Sequence, residues 1–358
     1  MFTETGKTMQ ERLAGYRMPA EWEPHEATWL SWPHNRDSWP GVFEGVEPAM
    51  TAFVGALAEC EPVHLNVLDA DHEGHVRSLL ARVAPPERLR FHRFPTNDAW
   101  CRDHGAIIVT RDGEKEPRLA VNFGYNAWGG KYPPFDLDRE IGRRMAEWLG
   151  VPRFARHDIV LEGGSIEVNG AGALLTTEQC LLNPNRNPDL NRADIERVLR
   201  EAFGVTEIVW LGDGIEGDDT DGHIDDLTRF FAPDGVLTVM EPSRHDKNHE
   251  PLAANRRRLA ELTVAGRALE VVELPMPEPQ YLETQRLPAS YANFYVANGA
   301  VLVPTFGCAA DDAAAAIIRD CFPGRRVLPI DCRVLVAGLG TLHCLTQQVP
   351  ATPSAATR

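Results

Sequence analysis

The chain has 358 residues, enough for two or three average domains or for one large closed architecture. With 43% hydrophobic and 25% charged residues it has the makeup of a globular protein with a sizeable core. Its 52 acidic residues against 36 Lys and Arg leave a net charge of −16, which argues against nucleic acid or an anionic membrane surface as partner and leans toward a small cation.

The opening stretch, Met1 to Pro19, lacks the apolar segment of a secretory signal, and no run approaches the ~18 apolar residues that a membrane span needs. The seven cysteines (Cys60, Cys101, Cys180, Cys308, Cys321, Cys332 and Cys344) are odd in number and scattered, with no CxxC pair. Neither a disulfide framework nor a structural zinc cluster is expected, and the chain reads as cytoplasmic with reduced thiols.

Taken in order, Ala27–Trp32 reads as a buried strand inside a Trp- and Pro-dense segment. Glu47–Glu59 has helical spacing, with Met50, Phe53, Val54 and Leu57 on one face, and is followed by a strand at Val63–Leu68. His72–Val83 predicts another helix and Leu89–Phe94 another strand. The polar stretch Asn97-Asp-Ala-Trp-Cys-Arg-Asp-His-Gly105 then leads into paired strands at Ala106–Val109 and Leu119–Phe123.

From here a unit recurs. Gly163–Val168, the turn Asn169-Gly170 and Ala173–Thr176 form one predicted hairpin. Leu227–Phe231 with Val236–Met240, and Asn293–Val296 with Val301–Pro304, form two more. The entering strands fall near residues 107, 167, 228 and 294, and helices are expected at Asp136–Leu149, Arg192–Phe203, Pro251–Leu262 and Ala310–Cys321. Repetition at this period points to an arrangement about an axis. The last stretch, Gly338 to Gln348, has no hairpin partner of its own, so Ala27–Trp32 is expected to pair with it and close one domain over residues 1–350, leaving 351–358 as a tail.

The unusual residues stand just ahead of the hairpins: Trp100 and Asp103, then Glu162, then His223 and Asp225, and finally Cys344. Repeats about an axis would bring three carboxylates, one imidazole and one thiol to a single pocket. Asp103 and Asp225 suit bidentate binding of a planar guanidinium, and His223 and Asp225, two apart, would share a face of a strand. Glu162 is placed to hydrogen-bond a nitrogen of His223, and Cys344 to attack the guanidinium carbon. Trp100 offers an indole face to a cation. Each residue also has a plain structural reading. Asp103 suits a turn, Glu162 a cap, the Asp218–Asp226 run a solvated loop, and Cys344 a buried apolar position. His223, Asp225 and His104 as metal ligands, or a non-catalytic polyamine or guanidine binder, remain as alternatives.

Read together, the motifs Met18-Pro-Ala-Glu-Trp-Glu-Pro-His-Glu26, residues 97–105, Glu162-Gly-Gly164, residues 174–188, 218–226 and 290–307, and His343-Cys-Leu-Thr-Gln-Gln348 resemble the agmatine deiminase family, which includes the Porphyromonas-type peptidylarginine deiminases. The resemblance covers nearly the whole chain. It implies a single-domain α/β fold, the five-bladed pseudo-symmetric propeller (pentein fold) of guanidino-group-modifying enzymes, and hydrolysis of agmatine to N-carbamoylputrescine and ammonia within polyamine metabolism. It implies Cys344 as nucleophile, His223 as general acid/base, Asp103 and Asp225 as guanidinium ligands and Glu162 as a support beside His223. It further implies no cofactor or metal and a homo-oligomer, with a dimer favoured. Asp219 and Glu216 are candidates for the distal amine of agmatine. Arg102, Arg186 and Arg229 are candidates for the carboxylate of free arginine, should that be the substrate. One departure from the family's glycine-rich run stands out: Gly338-Leu-Gly-Thr341 places Leu339 and Thr341 beside the nucleophile.

Overall fold

Among the residues that the computed structural model describes, 9–113 and 115–352, strand pairing follows one plan five times. Ile107–Thr110 runs antiparallel to Arg118–Gly124, which lies parallel to Arg153–Val160. The plan repeats with Glu167–Val168, Ala173–Thr177 and Glu207–Leu211. It repeats again with Thr228–Ala232, Gly235–Met240 and Glu270–Pro275, and with Tyr295–Ala297, Ala300–Thr305 and Arg326–Asp331. In a fifth sheet, apart from two short two-stranded ribbons, the two ends of the chain meet. Thr346–Pro350 pairs antiparallel with His25–Ser31, which is parallel to Val63–Asn66, itself parallel to Leu89–His92. The pairing of first and last strands expected from the sequence is therefore present. Of the expected tail at 351–358, residues 353–358 lie outside the described residues.

The parallel step in each sheet requires a crossover, and a helix supplies it. Val46–Ala58, Ile141–Leu149, Arg192–Phe203, His249–Ala260 and Asp311–Cys321 occupy these places. Arg192–Phe203 shows how the sequence sets such a helix. Asn191 and Asp194 form a reciprocal capping box, Gly204 closes the helix in the left-handed region, and Ile195, Val198, Leu199, Ala202 and Phe203 are buried.

Two local expectations need correction. Gly163–Ser165 is a tight 3-10 turn and the strand is confined to Glu167–Val168, because the Gly164 N–H is drawn to Asp103 Oδ1 at 2.9 Å. His223 and Asp225 do not lie on a strand either: Ile224–Asp226 is a 3-10 turn with His223 at its N-terminal edge. The same device recurs at Cys101–His104 and Leu342–Leu345, each a single helical turn before the first strand of its sheet. Function-bearing residues thus sit on short turns at corresponding strand entrances.

Candidate active site

Two of these turns, carrying Asp103 and Cys344, reach the wall of a cavity of about 830 Å³ that Trp100, Trp128, Asp219 and Leu339 also line, while Glu162, His223 and Asp225 are buried and do not line it. Five aspartates line it (Asp37, Asp98, Asp103, Asp138 and Asp219) against Arg36 and Lys131, and Lys131 is paired with Asp221 at 2.9 Å. An acidic cavity with its one lysine already engaged favours a cationic guest.

Cys344 is 7% exposed and faces the cavity. Its Sγ lies 3.7 Å from Asp225 Oδ2 and accepts a hydrogen bond from Asn293 Nδ2 at 3.0 Å. Burial, together with Asp225, Asp226 and Asp103, pushes the thiol well above its ordinary pKa and so favours its protonated form.

Asp103 accepts the Gly164 N–H at Oδ1 and Trp128 Nε1–H at Oδ2, 3.0 Å away. Burial raises its pKa to about 6; His223 works against this rise, while Asp225 and Glu162 add to it. His223 Nδ1 is 3.9 Å from Asp103 Oδ1 and 4.0 Å from Asp225 Oδ1. Burial alone would depress this imidazole, but Asp103, Cys180 and Asp225 outweigh it and hold its pKa well above the ordinary value. Burial likewise opposes ionisation of Asp225, but His343, whose Nδ1 is 2.6 Å from Asp225 Oδ2, leads the groups that keep it below the usual range.

The backbone of Gly164 is what permits this gathering. A Cβ there would stand 2.6 Å from His223 Nδ1, 2.9 Å from Asp103 Oδ1 and 3.1 Å from Asp225 Oδ2. Gly340 plays the same part for the nucleophile turn, where a Cβ would meet the Trp100 ring at 2.6 Å and Cys344 Cβ at 3.0 Å. Trp100 lines the cavity, backed by Trp39 at 5.3 Å between ring centroids.

Glu162 is brought to the site but not in the expected contact. Its Oε1 takes Arg186 Nε–H at 2.7 Å, whereas its Oε2 and His223 Nε2 have no hydrogen-bond partner among the described residues. A Glu162 oxygen, the Cys180 sulfur and a His223 ring nitrogen nevertheless lie within 4.8 Å of one another. The structure therefore pairs Glu162 Oε1 with Arg186 and leaves Oε2 near His223 without a hydrogen bond to it.

Asp219 lies on the cavity wall with its carboxylate receiving the Tyr132 hydroxyl. Glu216 does not line the cavity and is paired with Lys247 at 2.6 Å. None of Arg102, Arg186 and Arg229 reaches the cavity. Arg102 donates to Gln348 Oε1 at 2.6 Å, Arg186 to Glu162 and Asp221, and Arg229 to Glu167 at 3.0 Å with Glu21 at 2.9 Å. His104 faces Ser31 at 3.0 Å and Asp138 at 3.7 Å, away from His223 and Asp225, so the metal set considered from the sequence is not assembled.

Asn293, His343, Asp226, Glu21 and Trp128 complete the site and escaped the sequence reading. Asn293 had a signal. Four of the five strand entrances carry assigned residues, and Asn293, two residues before Tyr295–Ala297, fills the entrance of the fourth repeat. Asp226 Oδ1 takes the other Asn293 N–H at 3.0 Å, and burial with its neighbours Asp225 and Asp218 pushes its carboxyl well up.

A buried thiol at the wall of an acidic cavity, with an imidazole and carboxylates packed around it, is an arrangement suited to nucleophilic attack on a bound cation. The sequence matches the family described as Porphyromonas-type peptidyl-arginine deiminase over residues 17–350, and the chain belongs to that family. It is 37% identical over 370 residues to the agmatine deiminase of Ectopseudomonas mendocina, covering 97% of this chain and 99% of the relative. It is 38% identical to that of Pseudomonas aeruginosa over 368 residues, covering 96% and 98%. Among solved structures, an Enterococcus faecalis agmatine deiminase superposes with a TM-score of 0.89 at 32% identity, over 98% of this chain and all (100%) of that one. A Cys-to-Ser form of the C. jejuni agmatine deiminase with substrate bound gives 0.85 at 32% identity, over 94% and 97%. The fold is a mixed α/β single domain of the kind these proteins share.

Proposed function

We propose that this protein hydrolyses agmatine to N-carbamoylputrescine and ammonia, with Cys344 as nucleophile. The observation that carries the reading is the placement of the Cys344 thiol beside Asp225 and across the cavity end from Asp103, in a chain aligned along its length with agmatine deiminases. Asp103 and Asp225 each have an edge for the N–H groups of a guanidinium. At an effective dielectric near 20, one such contact contributes about 4 kcal/mol before desolvation. Trp100 covers a face of the bound cation, and Asp219 receives the distal ammonium.

Arrival of the cation offsets the carboxylates that hold the thiol protonated, and Cys344 loses its proton to solvent. The thiolate sulfur bonds to the guanidinium carbon, giving a neutral tetrahedral adduct. His223, held cationic by Asp103, gives a proton to one NH2 group; that C–N bond breaks and ammonia leaves. A thiouronium on Cys344 remains. Water then adds to its carbon, His223 taking back a proton. The C–S bond breaks to give the ureido product, and the hydroxyl proton restores the thiol. General acid–base help of this kind contributes ~100- to 10,000-fold. Glu162, anchored on Arg186, keeps an anionic wall beside His223.

The five like sheets, with first and last strands paired, support reading the architecture as a closed five-bladed ring with the cavity on its axis, one domain over 1–350. A homodimer and a cytoplasmic setting complete the proposal. No helix among the described residues is long and apolar enough to cross a membrane.

A ureido-product assay across agmatine, free arginine and an arginine-containing peptide tests the reading. Agmatine turnover well above the other two is expected, since Arg102, Arg186 and Arg229 are committed elsewhere and the cavity's own cations, Arg36 and Lys131, are paired with Glu44 and Asp221. Preference for arginine would overturn the assignment of substrate, and turnover of none would overturn the activity.

A further inference from the structure

His343, next to the nucleophile, has no part in the steps above, yet its surroundings are unusual. It is 1% exposed, and each ring nitrogen faces a carboxylate: Nδ1 lies 2.6 Å from Asp225 Oδ2 and Nε2 lies 2.8 Å from Glu21 Oε2. A neutral imidazole carries one N–H and leaves a lone pair on the other nitrogen. At these distances that lone pair would oppose a carboxylate oxygen. Either the ring is doubly protonated or one of the two carboxyls holds the proton.

Glu21 is badly placed to hold it. Its Oε1 is 2.9 Å from Arg229 Nη2 and accepts the Val296 N–H at 2.7 Å, and its Oε2 is 3.4 Å from Arg102 Nη2. Although burial opposes ionisation, Arg229, His343 and Arg102 hold the Glu21 carboxyl well below its ordinary pKa. Arg102 also donates to the His343 carbonyl at 3.3 Å, and Arg229 reaches on to Glu167 at 3.0 Å. His343, Arg102 and Arg229 thus meet three buried carboxyl groups, Glu21, Glu167 and Asp225, of which Glu167 is pushed up by burial. A buried ion is tolerated only when paired and hydrogen-bonded, and here the pairing closes on itself.

The two oxygens of Asp225 are divided by this arrangement. Oδ2 takes His343 and the Cys344 thiol, while Oδ1 has no hydrogen-bond partner among the described residues and stands 4.0 Å from His223 Nδ1. We infer that His343 is a charged positioning residue: as an imidazolium bridging Glu21 and Asp225, it keeps Asp225 ionised, with Oδ1 turned to the guanidinium place and Oδ2 against the nucleophile. The occupant of that place rests on the proposed hydrolysis; the charge and bridging of His343 do not.

The test begins with ring-15N histidine NMR of the whole protein, the His343 signals being assigned by their loss in His343→Gln. Both nitrogens should show imidazolium shifts, as the two facing carboxylates require. His343→Gln, neutral but able to hydrogen-bond, should raise KM for agmatine about tenfold or more with a smaller fall in kcat, as expected for weakened ground-state binding. It should also move the alkylation of Cys344 by iodoacetamide to higher pH, because a cation near the sulfur has gone. Glu21→Gln should shift the His343 resonances toward the neutral form and move both readouts the same way. A neutral His343 in the native protein overturns the proposal, as does a folded His343→Gln with unchanged KM and alkylation profile. If that variant does not fold, its signals are assigned by elimination and Glu21→Gln decides alone. Should the native protein turn over no guanidine, the hydrolysis reading fails, while NMR and alkylation still judge His343.

Discussion

Asn293 grips Cys344 from both ends. Its Nδ2 donates to Sγ at 3.0 Å, and its Oδ1 accepts the backbone N–H of His343 at 3.1 Å and of Cys344 at 3.4 Å. Thr341, whose hydroxyl donates to the same oxygen at 2.7 Å, is therefore turned into the loop and does not line the cavity. One amide both shapes the nucleophile turn and solvates the developing thiolate.

Asn293→Ala should accordingly lower kcat for agmatine by about 100-fold, the usual effect of losing one preorganised donor at a reacting centre. Iodoacetamide should alkylate Cys344 more slowly at fixed pH in the same variant. Unchanged kinetics would show that the contact to sulfur plays no part in the reaction.

Gly164→Ala is the smallest change that should disable the site. The new methyl would stand within 2.6–3.1 Å of His223, Asp103 and Asp225, and those side chains are packed on all sides. Activity should fall at least about 100-fold, in line with the cost of misplacing reacting groups by an ångström. The circular-dichroism spectrum should be retained.

Asp103 sets the acid limb of the pH profile. Its carboxyl, raised by burial to about 6, must be ionised to accept a guanidinium, so kcat/KM should fall as pH drops through about 6. Stability moves the other way. A carboxyl whose folded pKa lies above its unfolded value adds stability that is fully present below the unfolded pKa and is lost as pH rises through about 6. Asp103→Asn should therefore be inactive, and its stability relative to the native protein should rise with pH between about 4 and 7, on top of a fixed cost because its NH2 must face one of the two N–H donors that Asp103 accepts. That rise should be on the order of 1–3 kcal/mol, read by denaturant titration. A stability difference that does not change over this range would contradict the assigned environment.

Iodoacetamide should inactivate the native protein, agmatine should protect it, and EDTA should have no effect. Protection follows because the guanidinium place and the thiol share Asp225. Loss of activity to a chelator, restored by zinc, would contradict the covalent mechanism.

Much of this was legible in the chain itself. Hairpins and crossover helices announced themselves through turn dipeptides such as Asn169-Gly170 and through periodicities such as that of Arg192–Phe203, because both signals are local. The convergence of Asp103, Glu162, His223, Asp225 and Cys344 was inferable because repeat spacing converts distance along the chain into proximity. Partner choice was harder to read. Glu162 was expected on His223, but its hydrogen bond goes to Arg186, and a choice between buried partners depends on geometry that spacing does not encode. His343 and Glu21, 322 residues apart, meet only once the ends of the chain pair. Leu339 shows a further limit. It occupies a left-handed conformation at φ 70°, which disfavours any side chain, and lines the cavity at a cost of ~1 kcal/mol.

The central claim is a covalent intermediate on Cys344, and intact-protein mass spectrometry after acid quench addresses it most directly. Mixed with agmatine under turnover, the protein should gain the mass of agmatine less ammonia, located by peptide mapping to Cys344. Cys344→Ala should show neither the adduct nor ureido product. Ureido product from Cys344→Ala, or steady turnover by the native protein with an adduct on any other residue, would contradict the account.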